Sequence, residues 1–250
     1  MEEAQLQKRF LELGKRAERE NSYIYTNFLN SMEQNAFLQI AGKLGGMPYR
    51  LFGGDESCER KLLSFGGEEV FGYVEEFPIA CMRIAPANEK FAEALTHRDY
   101  LGALMHLGIE RDVLGDIRMD GHNAYLFCLL HMEQFLKENL VKIKNTSVRV
   151  SAVSELPKAA ALSFEEEKVQ VASERLDAVI AKLYRLSRGE STMLFAAGKV
   201  FVNDKLMENS SYSVRAGDII SLRGYGKFRY EGVTGTSKKG KLIVLLRKYA

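Results

Sequence analysis

The chain has 250 residues, 46% hydrophobic and 27% charged, a composition that suits a soluble globular protein of one to three cored domains. No apolar run approaches the roughly 18 residues a bilayer crossing needs, and Met1-Glu2-Glu3 is not a secretory signal, so a cytoplasmic protein without membrane contact is expected. The net charge of +2 excludes a strongly acidic or basic chain overall, and Cys58, Cys81 and Cys128, odd in number and widely spaced, exclude a disulfide framework.

Residues 1–70 read as a mainly helical N-terminal region. Leu6, Phe10 and Leu13 form one apolar stripe. Phe28, Leu29, Met32, Ala36, Phe37 and Ile40 form another that ends near Gly42, with a turn expected at Asn21 or Ser22. Leu51–Phe65, with Phe52-Gly53-Gly54 and Cys58-Glu59-Arg60-Lys61, reads as a turn.

Residues 71–155 alternate in type. Strands are predicted at Ile79–Ala85, Asp116–Met119, Asn123–Leu130 and Ser147–Val153, and helices at Phe91–Leu107 and His131–Asn139. The order βαββαβ predicts a ferredoxin-like, RRM-like sheet with helices on one face. An RRM stacks RNA bases on strand aromatics. Ile79-Ala80-Cys81-Met82 offers no such platform, and Tyr125 and Phe127 suit core packing at least as well. The likeness is therefore one of shape. Residues 156–172, with Pro157, an alanine patch and Glu165-Glu166-Glu167, read as a linker.

Residues 173–250 carry the most specific chemistry. Leu176, Val179, Ile180 and Leu183 make the apolar stripe of a first helix, and Met193, Leu194 and Ala197 that of a second. Ser187 and Glu190 have capping-box spacing, and Gly198 suits a helix end. Val200 and Val202 alternate as in a half-buried strand, Asn203-Asp204 can form a tight turn, and Gly217-Asp218 leads into the strand Ile219–Leu222. Residues 171–250 hold 15 Lys+Arg against 7 Asp+Glu, so the overall charge hides a basic module on a mildly acidic body. Such a module suits a polyanion.

Enzyme signatures fail. His97-Arg98-Asp99 copies a kinase triplet, but Leu104 stands where the asparagine belongs. A capped helix start and an RNA-facing patch are its open readings. Gly235-Thr236-Ser237-Lys238-Lys239-Gly240-Lys241 begins like a P-loop, yet Leu242 replaces the magnesium-binding hydroxyl. Gly232–Gly240 reads instead as a flexible basic hairpin loop, for phosphate contact or plain solvation. His97, His106, His122 and His131 lack metal-ligand spacing, and Cys58, beside Arg60 and Lys61, is the one candidate nucleophile. No catalytic residue, metal or cofactor is expected.

The helix–helix–strand order of residues 174–230 resembles the S4 domain, an RNA-binding module. The whole chain resembles the YlmH family of bacterial S4-domain proteins. The residues that carry this are Thr26-Asn27-Phe28-Leu29 with Glu33-Gln34, Phe52-Gly53-Gly54 with Glu59-Arg60-Lys61, Thr96–Leu104, and Leu107-Gly108-Ile109 with Leu114-Gly115-Asp116-Ile117. The resemblance implies an α+β protein, a monomer, that binds ribosomal RNA and tRNA on the large ribosomal subunit in the setting of stalled nascent chains. It also implies genes near cell-division genes. An RNA-modifying enzyme (pseudouridine synthase-like or methyltransferase-like) and a division-linked interaction scaffold are the alternative readings. The candidate RNA-binding residues are Arg175, Lys182, Arg185, Ser187, Arg188, Lys199, Asn203, Lys205, Arg223, Lys227, Arg229, Lys238 and Lys239, with a second patch at His97, Arg98, Arg60 and Lys61.

Charge-led binding has a measurable signature. With about 4–6 phosphate contacts, log K for RNA should fall against log salt with a slope of roughly −3 to −5. A flat titration from low to physiological salt would refute phosphate-led binding.

Overall fold

A computed structural model describes residues 3–157, 160, 164–203 and 205–249. Two compact units divide at residues 161 and 162.

In the first unit, α1 (Glu3–Glu20) buries Phe10 and Ala17, and the chain turns at Asn21, in the left-handed region at φ 48°. Strand β1 (Ile24–Tyr25) follows. Phe28 and Leu29 precede α2 (Ser31–Leu38) rather than belonging to it, because Asn30 and Glu33 form a reciprocal capping box there. Strands β2 (Tyr49–Phe52) and β3 (Leu62–Phe65) complete an antiparallel sheet of order β1-β3-β2. The mainly helical expectation for residues 1–70 is thus corrected to helices packed on a small sheet. All four residues of β3 are buried, so no alternation marks it as a strand.

After the short helix α3 (Glu68–Phe71), the βαββαβ pattern appears as expected, with adjusted ends. It comprises β4 (Ile79–Pro86), α4 (His97–His106), β5 (Leu114–Asp120), β6 (Asn123–Leu129), α5 (Met132–Asn139), the short β7 (Lys142–Ile143) and β8 (Thr146–Val153). The helix predicted from Phe91 begins only at His97, because Asp99 Oδ2 accepts both the N–H and the hydroxyl of Thr96 at 2.8 Å. The sheet order β5-β6-β4-β8-β7 places the first strand of the pattern centrally. On one face Met82, Ile84, Leu126 and Cys128 pack with Tyr100 and Leu104 of α4 and Leu136 of α5. On the other, Phe127 and Leu129 pack against Phe28, Cys58 and Leu62 from the N-terminal segment. Both faces are covered in this region, and the N-terminal and central segments form one unit, not two.

The second unit has one six-stranded antiparallel sheet and two helices. Its elements are β9 (Phe164–Val171), α6 (Leu176–Leu183), α7 (Arg188–Ala196), β10 (Val200–Val202), β11 (Lys205–Leu206), β12 (Ile219–Leu222), β13 (Gly226–Thr236) and β14 (Leu242–Tyr249). The strand order is β11-β10-β12-β13-β14-β9. The α6 stripe Leu176, Val179, Ile180 and Leu183 enters the core as predicted. In α7, Leu194 and Phe195 enter, while Met193 is 63% exposed and Ala197 also faces out. Buried Ser191 ties α7 to α6 by donating to the carbonyl of Asp177 at 2.9 Å.

Three expectations change here. The linker 156–172 largely becomes β9, paired with β14 from Leu242↔Val171 to Tyr249↔Phe164. Its acids are matched across the ladder, Glu166 to Arg247 and Glu167 to Lys248, and Val169 and Val171 are core. Residues 158, 159 and 161–163 of the linker lie outside the described residues. The loop expected over Gly232–Gly240 is mostly strand, since β13 runs through two irregularities to Thr236, leaving a turn around Ser237–Gly240. Of the Asn203-Asp204 turn, Asn203 has φ 49° and Asp204 lies outside the described residues.

A fragment starting at residue 162 should therefore give a dispersed heteronuclear spectrum. One starting at 173 lacks β9 and should lose about 3 kcal/mol or more in urea unfolding, because Val169 and Val171 no longer pack beside Val244 and Leu242.

Candidate nucleic-acid interface

Helices α6 and α7 meet at a sharp connection, and its geometry gathers charge. Arg185 lies in the left-handed region at φ 54°, with the Leu186 N–H donating to the carbonyl of Ala181 at 2.9 Å. Glycine occupies such a helix stop most easily, and a side chain there carries strain of about 1 kcal/mol. Ser187 then caps α7, its hydroxyl accepting from the Glu190 N–H while Glu190 accepts from the Ser187 N–H at 2.7 Å. Beside this corner runs a groove of about 570 Å³. Arg175, Lys182, Arg185 and Arg188 line it over Val171, Ala178 and Ala181. Arg175 is held by Asp177 at 2.8 Å. Lys182, Arg185 and Arg188 are exposed and form no salt bridge among the described residues. Lys241, outside the candidate set, lines the same groove, and only the β14–β9 pairing brings it there.

The remaining candidates of this unit are not on that groove. Lys199 and Arg223 meet at the β10–β12 edge, where the Arg223 N–H donates to the Lys199 carbonyl at 3.0 Å and its guanidinium lies 4.6 Å from the Phe201 ring centre. Lys205 is exposed on the edge strand β11. Lys238 and Lys239 are exposed at the β13–β14 turn. Lys227 and Arg229 share a sheet face as expected, but Arg229 pairs with Glu231 at 2.5 Å. Asn203 is spent inside the fold, its amide donating to Asp218 at 3.0 Å and its oxygen accepting from Ile219 at 2.9 Å. Ser187 thus serves as a helix cap and Asn203 as a bridge to Asp218 and Ile219.

The second patch separates. Arg60 is turned inward: its Nε donates to the Leu114 carbonyl at 3.0 Å and an Nη to that of Phe28 at 2.8 Å. Burial lowers its pKa. Lys61 is half-buried, its backbone bridged to Leu29. His97 is exposed, yet the protein on its inner side, followed by Arg111, holds its imidazole below the ordinary range and favours the neutral ring. Arg98 alone is a fully exposed cation of the four.

Arg60 belongs to a polar clamp that sequence reasoning did not assemble. Asp116 accepts the backbone N–H groups of Glu59 and Arg60 at 2.8 and 3.1 Å and pairs with Arg118 at 3.0 Å. Arg118 also donates to the Ser57 carbonyl, and Arg111 to those of Leu114 and Gly115. Asn27 donates to Asp112 at 2.8 Å, and Gln34 to the carbonyls of Leu29 and Glu59. Cys58, buried beside this clamp, has its thiol pushed up to about 12, first by burial and then by Asp116. It stays protonated at neutral pH, which removes the nucleophile reading.

Residues 73–156 match a family model described as "Putative RNA-binding domain in YlmH", and residues 174–220 match the S4 domain. "Ribosome-associated protein quality control protein P2" of Bacillus subtilis (strain 168) is 32% identical over 226 residues, covering 89% of this chain and 86% of that protein. The chain belongs to the YlmH family. A solved structure, "Cell division protein ylmH from Streptococcus pneumoniae", is 25% identical with a TM-score of 0.49, covering 61% of this chain and 92% of that one.

Of the four motif groups that carry the family resemblance, Thr96–Leu104 lies apart from the clamp, whereas the other three meet at it, through Asn27, Gln34, Glu59, Arg60 and Asp116. Gly54, at φ 99°, is required there too, since a Cβ would lie 2.3 Å from the Phe127 ring. Asp116→Ala leaves Arg118 buried without its partner and should cost about 3–5 kcal/mol, read from the urea midpoint. Arg98→Ala, at an exposed site, should stay within about 0.5 kcal/mol.

Proposed function

We propose that this chain is an RNA-binding protein of the ribosome. It contacts ribosomal RNA and tRNA on the large subunit and serves the quality control of stalled nascent chains. It works as a cytoplasmic monomer, by binding alone, with no chemical step or cofactor of its own.

The observation that carries this reading is the convergence of Arg175, Lys182, Arg185, Arg188 and Lys241 on one groove of the S4 unit. Three of the five reach it from α6, α7 and the turn between them, so the helix pair sets their spacing. Strain at Arg185 is tolerated where glycine would relieve it. Arginine suits the task, because its planar fork grips phosphate through two hydrogen bonds. The name of the Bacillus relative, a ribosome-associated quality control protein, fits a polyanion of this kind.

Arg185→Glu with Arg188→Glu should abolish co-sedimentation with ribosomes while the thermal midpoint holds. Each lost phosphate contact should weaken binding by about 1 kcal/mol or more, and reversal adds repulsion. Normal co-sedimentation of the folded double variant would refute the assignment. Mass analysis of RNA incubated with the chain separates this reading from an RNA-modifying enzyme, which would leave an altered base. Capture that survives ribonuclease treatment would favour a protein scaffold.

A further inference from the structure

If the chain binds RNA as proposed above, any contact made by its first unit needs an open surface, and the expected one is closed. A βαββαβ sheet of the RRM shape stacks bases on its helix-free face. Here Phe127 and Leu129 of that face pack against Phe28, Cys58 and Leu62. Two grooves near it are acidic. One is lined by Glu75, Glu76 and Glu133, the other by Glu68, Glu69 and Glu75, and Arg50 is the only cation in each among the described residues. Neither suits phosphate.

A third groove, of about 500 Å³, runs between α4 and the chain from Asn139 to Lys144. Arg98, His106, Lys142 and Lys144 line it, all exposed, and Asp99 is its only carboxylate among the described residues. Two features of this groove stand out, Gly102 on its wall and Lys144 at its end. Gly102 lies in the interior of α4, exposed on the groove wall, and a Cβ there would meet nothing within 4 Å. Glycine weakens a helix, and no neighbour in the chain demands it. A glycine there leaves the wall open to the close approach of another molecule's backbone. Lys144 holds φ at 50°, where glycine or asparagine is easier, and its ammonium is steadied 2.7 Å from Asp99. The β7–β8 turn therefore stations a cation at the groove at some backbone cost.

We propose that this groove is a second RNA site, in which a phosphodiester backbone lies against Gly102 and is held by Arg98, Lys142 and Lys144. His106 supplies a further ring N–H along the same wall. The site reads backbone rather than sequence, since its lining offers mainly the point charges of Arg98, Lys142 and Lys144 and, among the described residues, no Phe, Tyr or Trp on which a base could stack.

The test uses the full chain, total ribosomal RNA as the probe and filter binding across a salt series. The variants are Gly102→Leu, Lys142→Glu and the S4-groove double variant Arg185→Glu with Arg188→Glu. Gly102→Leu should hold or raise the thermal midpoint, because leucine favours the helix, yet weaken binding by about fivefold or more through bulk alone. Lys142→Glu should weaken binding by about tenfold at low salt and reduce the salt slope by about 0.7–0.9, one phosphate contact. If both groove variants bind as the parent does while the S4 double variant loses affinity, the second site is refuted and the RNA reading stands. If the parent itself fails to bind, both fall. Should Gly102→Leu melt early, Lys142→Glu decides alone.

Discussion

The first unit depends on the carboxylate of Asp116. It stands at the start of β5, buried, and accepts two backbone N–H groups from the Glu59-Arg60 segment while pairing with Arg118. A charge in that position costs several kcal/mol unless it is paired and hydrogen-bonded, and here it is both. The backbone it captures leads straight into β3, and Arg60 reaches back from the same point to the carbonyls of Phe28 and Leu114. One carboxylate and one guanidinium thereby hold the N-terminal segment against the central sheet. The apolar contacts of Phe28, Leu62 and Phe127 then close over the join.

This clamp decides what the sheet can do. The strand face that an RRM leaves open for bases is used here as an internal packing surface. The glycines at 54 and 115 allow the approach, since a Cβ on either would run into an aromatic ring. Aromatics on β6 are therefore core residues. The outer grooves of this unit remain open, and the sign of the charge changes from one to the next. Glutamates surround two of them and lysines the third.

The second unit solves a different problem, the presentation of like charges at close range. Mutual repulsion among Arg175, Lys182, Arg185, Arg188 and Lys241 has to be borne by the rest of the unit. Asp177 offsets part of it, buried at the first turn of α6 and bonded to Arg175. The remainder is carried by packing. Ser191 pins the two helices together, and the buried side chains form a core that is continuous from β9 to β14. A sheet edge that would otherwise be bare is covered by β9, whose acids answer the basic residues of β14.

Local physics determined much of this from the sequence alone. The 3.6-residue spacing of α6, the Ser187–Glu190 cap, the alternation at Val200–Val202 and the βαββαβ order are all near-neighbour effects, and each element stands close to where its pattern predicts. The concentration of basic residues after 171 is likewise a property of the sequence. Tertiary structure decided what near neighbours cannot encode. Buried β3 has no alternation to betray it, and Glu166 and Glu167 read as part of a linker until Arg247 and Lys248 arrive from about 80 residues away to pair with them. Arg60 and Arg98 look equally basic in the sequence. Only the fold turns the first inward to carbonyls and leaves the second in water, because a guanidinium goes where its donors are satisfied. The same holds for Lys241, which joins the arginine groove solely through the pairing of β14 with β9.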